Sequence, residues 1–150
     1  MRREEHTHRA FRGLLEAIAR PGQWMPTPAT DAQGALELLR LAVWEDDPAV
    51  VVTDSSHAAA VMESADPGTE DEPEASTTVV VLVTREPQTA VSLDGPGIRE
   101  RVDTRLPLDH SALAAREERC SRFPCGVDTV LIDEAGRVLG LPRTTVVKEL

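Results

Sequence analysis

The strongest polar candidate in this chain is the run Arg143-Thr144-Thr145 near its end. An arginine can grip a carboxylate or a phosphate through two N–H bonds, and here two hydroxyls stand beside it. The same arginine could instead serve a structural carboxylate, Asp128 of the same hairpin being an example, and the residues alone leave these two readings level. Gly95-Pro96-Gly97 is the second candidate, since backbone N–H groups after a strand can face an anion. Pro96 removes one donor, however, and no helix start follows, so a plain turn is the favoured reading of Gly95 and Gly97.

Other chemistry is thinly represented. His6 and His8 lie near the start, and His57 and His110 stand alone, with no paired spacing on a helix. Four convergent ligands are not in sight, so no metal site is expected. Cys120 and Cys125 have four residues between them, which excludes Cys-x-x-Cys chemistry, and Cys125 reads as a small buried apolar residue. There is no P-loop and no dinucleotide fingerprint. No nucleophile, base and orienting group can be assembled from spacing, so catalytic residues stay unassigned.

Bulk properties narrow the partners. The 150 residues suit one domain, 1–150, able to bury a core without metals or disulfides. The net charge of −10 argues against a nucleic-acid surface. No apolar run approaches the roughly 20 residues that cross a bilayer. The opening MRREEHTHRAF is too polar for a signal peptide, so a reducing cytoplasm is the expected location.

These residues need elements to position them. Residues 3–20 read as a helix with Phe11, Leu14, Leu15 and Ile18 as one apolar stripe, stopped by Pro21-Gly22. Asp31 caps a second helix to about residue 43, with Ala35, Leu38, Leu39 and Ala42 as its stripe. Residues 49–53 form a short buried strand, and Ser55 or Ser56 caps a third helix to Met62. The stretch 66–76 holds two prolines and five acids, too little apolar surface to offset ordering, and reads as an acidic, flexible loop. Residues 77–84 and 90–93 are strands, with a tight turn at 94–97. Asp109 or Ser111 caps a helix through Arg119. A hairpin closes the chain: 127–133, a turn around Gly136, then 138–141 ended by Pro142. This order predicts an α/β fold, a mixed β-sheet with helices packed on it.

Four stretches carry an identity when taken together. They are Phe11-Arg12-x-Leu14-Leu15-x-Ala17-x-x-Arg20-Pro21-Gly22, Leu93-x-Gly95-Pro96-Gly97-Ile98, Phe123-Pro124-x-Gly126-x-Asp128 and Leu141-Pro142-Arg143-Thr144-Thr145. In order and content they resemble the H subunit of the bacterial carbon–phosphorus lyase system, the PhnH family. The resemblance implies a cytoplasmic subunit of phosphonate catabolism. It implies assembly with sister subunits G, I and J, and help in transferring a phosphonate to a nucleoside triphosphate (ribose 1-phosphonate triphosphate synthesis). It also implies a homodimer in isolation, and a fold similar to the large domain of pyridoxal-phosphate-dependent transferases without their cofactor site. The sole lysine, Lys148, is expected in a frayed, solvated tail, unsuited to a Schiff base, so no pyridoxal phosphate is expected. The chain is shorter than family members usually are, with the shortfall after Pro26 and around 66–76. The alternative reading is a small phosphonate- or nucleotide-binding enzyme acting as an independent homodimer through Arg143, Thr144 and Thr145.

Overall fold

The computed structural model describes residues 3–150. Helix α1, Arg3–Ala19, opens the chain and α2, Ala32–Leu39, follows, running on into a π-helical turn at Arg40–Trp44. Strand β1, Val50–Asp54, leads to α3, Ala58–Ser64, and then to β2, Thr78–Leu82. Next come β3, Thr89–Asp94, β4, Val102–Leu106, and α4, His110–Arg119. Strands β5, Asp128–Ile132, β6, Val138–Leu141, and β7, Val146–Glu149, end it.

Two sheets result. The larger has the order β1-β2-β5-β6, with β1, β2 and β5 parallel and β6 antiparallel to β5. It is the mixed sheet the element order predicts. The central strand β2 reads TVVVL and is buried on both faces, which favours an unbroken β-branched run. One face carries α1 and α2, through Leu14, Leu36, Leu39 and Val80. The other carries α3 and α4, through Met62, Leu113 and Leu131, and continues into the smaller sheet, ordered β4-β3-β7.

Of the stripe expected on α1, Leu14 is buried and Phe11 half-buried, but the other two residues face outward. Ala10, Gly13, Leu14 and Ala17 turn inward, while Leu15 and Ile18 are 49% and 43% exposed. The cause is α1's seat on β6. A Cβ at Gly140 would lie 2.8 Å from the Ala17 carbonyl oxygen, so helix and strand backbones touch and only small residues fit between them. On α2, Ala35 and Leu39 are buried as expected, but Leu36 completes the face and Leu38 is only half-buried. Asp31 caps α2, its carboxylate accepting the Gly34 N–H at 2.7 Å.

The serines before α3 do not cap it. Ser55 is buried and accepts the Thr84 N–H at 3.0 Å. The carboxylate of Asp54 accepts the His57 N–H at 3.0 Å in the turn before α3, and no side chain caps the helix. Asp109, not Ser111, caps α4 by accepting the Ala112 N–H at 2.9 Å. The acidic stretch 66–76 is a loop with one 3-10 turn, Pro73–Ala75, and its ends are fastened. Thr77 N–H donates to Asp66 O at 2.7 Å, and Gly126 N–H to Pro67 O at 2.8 Å.

Strands β4 and β7 have no counterpart in the sequence reading. Each flanks β3 on an edge and each buries a single apolar residue, Leu106 or Val147, so neither shows the alternation that marks a strand. The frayed tail expected around Lys148 is therefore strand β7, with Lys148 exposed and opposite Ser92.

Candidate functional site

The four motifs meet along one seam. Helix α1 ends at Arg20-Pro21-Gly22, where Gly22 N–H donates to Gly140 O at 3.1 Å and Pro21 is buried. Arg20 points outward to Glu16, 3.7 Å away, with both side chains more than half exposed. The 94–97 turn packs against this corner. Gly97 has φ of 85°, and a Cβ there would come within 2.5 Å of the Ala19 carbonyl oxygen. A positive φ and a backbone neighbour together leave room only for glycine. On the far side of the same turn, Gly95 abuts the backbone of Thr144.

From Thr144 the seam continues into the hairpin ends. Asp128 Oδ1 accepts the backbone N–H of Arg143 at 2.8 Å. The guanidinium of Arg143 then spends its donors on the protein. Nε faces Asp128 Oδ1 at 3.4 Å, and Nη1 donates to the carbonyls of Pro73 at 2.7 Å and Pro124 at 3.3 Å. Nη2 donates to the hydroxyl of Ser76 and, at 3.2 Å, to Asp128 Oδ2. Gly126 lies against the stem of this side chain, where a Cβ would come 2.7 Å from Arg143 Cβ. Arg143 thus ties the acidic loop to both ends of the hairpin, and its side chain is only 17% exposed. Of the two readings of this arginine, the pairing with Asp128 is the one the geometry carries, and it leaves no guanidinium N–H pointing at a ligand.

The hydroxyls beside Arg143 do not build a pocket around it. Thr145 is buried and its Oγ1 has no partner, while Thr144 is half-buried. Pro124 is half-buried behind a cis Phe123–Pro124 bond, and Phe123 is 77% exposed, so the aromatic ring of that motif lies outside the core. Phe11 is half-buried in a groove shared with Leu41.

Arg116 went unnoticed in the sequence. It lies on α4, completely buried, with Nη2 donating to Pro142 O at 2.7 Å and Nη1 to Glu117 Oε1 at 2.6 Å. Its Nε is buried without a partner. One signal could have found it: Arg116 falls four residues after Ala112 and three after Leu113, on the apolar face of α4. Pro142 O also accepts the Thr145 N–H at 2.9 Å, so a single carbonyl holds α4 and the β6–β7 corner together.

The two later histidines do not stand alone. His110 Nδ1 lies 2.7 Å from Glu149 Oε2, joining α4 to β7. His57 Nδ1 lies 2.9 Å from Asp54 Oδ1, and this hydrogen bond holds the Asp54 carboxyl below its ordinary value. Cys120 and Cys125 are both free thiols, Cys125 buried, and Cys120 Sγ contacts Val127 O at 3.6 Å. Among the described residues no three His, Cys, Asp or Glu side chains converge as a metal site, and no helix is long and apolar enough to cross a membrane.

Compared with known families, residues 39–148 match the family described as bacterial phosphonate metabolism protein, PhnH. The matched span holds three of the four motifs, and only the α1 motif precedes it. No curated protein matches the chain.

Proposed function

Because the chain belongs to the PhnH family of bacterial phosphonate metabolism proteins, we propose that it acts as a subunit of the carbon–phosphorus lyase system. In this reading it is a structural or co-catalytic component, working in the cytoplasm beside sister subunits G, I and J. It assists transfer of a phosphonate to a nucleoside triphosphate, and forms a homodimer when alone. The reading keeps the likeness to the large domain of pyridoxal-phosphate-dependent transferases, on the support of a parallel β1-β2-β5 core with helices on both faces. It assigns no pyridoxal phosphate to the chain. A Schiff-base lysine needs a pocket, and Lys148 is exposed on an edge strand.

The observation that carries the subunit reading is the outward stripe of α1. Phe11, Leu15 and Ile18 share one side of the helix, and Leu41 and Val43 on the π-helical turn add exposed apolar surface, at 39% and 41%. Apolar side chains grouped on one helix face mark a surface for association. Arg143, Asp128, Gly97 and Pro21, by contrast, are consumed within the fold. The test is native mass, measured for the chain alone and co-expressed with its sister subunits. A larger assembly that Leu15→Glu with Ile18→Glu abolishes, while the pair still folds, supports the reading. A chain whose mass is indifferent to its sisters refutes it.

A further inference from the structure

A cleft of about 370 Å³ opens beyond the carboxyl ends of the neighbouring parallel strands β2 and β5, and none of the four motifs lines it. Open α/β sheets gather ligands at this end of their strands, where the loops after each strand converge.

One arginine here is organised but not spent. Arg137 Nε donates to Asp133 Oδ2 at 2.7 Å, and its guanidinium lies over the ring of Trp24, 5.5 Å from the centroid. Asp133 is held in turn, its Oδ1 accepting the Arg137 backbone N–H at 2.8 Å. These contacts fix the plane of the guanidinium. They leave Nη1 and Nη2 without a protein acceptor among the described residues, the reverse of Arg143. Arg85, just past β2, lines the same cleft, and its one contact is long, Nη2 to Ser56 Oγ at 3.4 Å. Two cationic forks therefore face one space.

Glu86 and Glu134 also line the cleft, and neither is ion-paired among the described residues. A simple dianion would meet these two carboxylates and that of Asp133 as well as two arginines. A small molecule carrying both charges would satisfy both sets: its tetrahedral oxyanion accepts from Arg137 and Arg85, and its ammonium donates to Glu86 or Glu134. The geometry points to a binding site for a zwitterionic phosphonate, an aminoalkylphosphonate, in this cleft. The choice of phosphonate as the oxyanion rests on the functional reading above. The arginines and carboxylates set the preference for a zwitterion.

The test is calorimetric titration of the full chain with 2-aminoethylphosphonate and with methylphosphonate, which lacks the amine. The expected result is saturable binding of 2-aminoethylphosphonate and binding of methylphosphonate weaker by about tenfold. Arg137→Gln and, separately, Arg85→Gln should each weaken the zwitterion by about tenfold, circular dichroism confirming that each variant folds. Glu86→Gln with Glu134→Gln should narrow the difference between the two ligands. No saturation into the millimolar range, equal affinity for the two ligands, or binding indifferent to both arginine variants would overturn the site. Native mass with the sister subunits is read on the same unsubstituted chain. Assembly without ligand binding removes the site and leaves the subunit reading; binding without assembly does the reverse.

Discussion

Asp128 holds Arg143 twice, by the backbone N–H at 2.8 Å and by the guanidinium at 3.2 Å, and so fixes the corner where β6 ends to the start of β5. Arg143→Ala would strand the acceptors at Asp128, Pro73, Pro124 and Ser76. We expect a loss of about 2–3 kcal/mol in urea unfolding, the scale for breaking a partly buried charged hydrogen-bond network. Arg143→Lys should recover little of it, because an ammonium cannot reach carbonyls and a carboxylate in several directions at once. If phosphonate binding rather than stability were the property lost, the structural assignment of Arg143 would fail.

Arg116 carries a buried charge with one carboxylate beside it and one donor idle. Arg116→Ala is expected to destabilise by about 3 kcal/mol, through the cavity it opens and the Pro142 carbonyl it leaves with one donor fewer. Arg116→Met, which fills the space and removes the desolvated charge, should cost less than about half of that. Equal losses for the two variants would mean that the hydrogen bonds, not the volume, are what the residue supplies.

Gly97→Ala places a methyl against the Ala19 carbonyl at a φ of 85°. The expected loss is about 2–3 kcal/mol in thermal or urea unfolding, combining backbone strain with overpacking. A variant as stable as the parent would show that the turn can move away from α1.

The Asp54–His57 pair predicts a pH dependence. The hydrogen bond with His57 depresses the folded-state value of the Asp54 carboxyl below its ordinary 3.8. A depressed acid adds stability above its unfolded value and gives it up as pH falls through the folded one. Asp54→Asn, which can still accept the His57 N–H, should therefore be slightly less stable than the parent near neutrality, and the gap should close on acidification below the ordinary value. Urea midpoints across a pH series decide this, and a gap that stays constant into acid would count against it.

Much of the α/β core was legible because it is written in one dimension. The run Thr78–Leu82 and the hairpin of β5 and β6 are β-branched, apolar and bounded by turn residues. Asp128 as a partner for Arg143 was one of two options that the residues allowed. What escaped was decided by neighbours distant in the chain. Leu15 and Ile18 face outward because Gly140, more than a hundred residues later, draws α1 too close for large side chains. Strands β4 and β7 each bury one apolar residue and are strands only because β3 lies between them. Arg137 looked like an ordinary turn residue, since nothing local connects it with Trp24 or with Arg85 across the cleft.

The seat of α1 on β6 also sets an order of events. The inward residues Ala10, Leu14 and Ala17 have much of their docking surface on β5 and β6, more than a hundred residues later in the chain. During synthesis the first helix has α2 beside it but lacks its strand seat until residues 138–141 have emerged and paired with β5. Such a dependence on distant pairing slows folding and lengthens the exposure of sticky surface. A nascent chain stalled before residue 138 should therefore leave α1 open to protease, and release of the complete chain should close it.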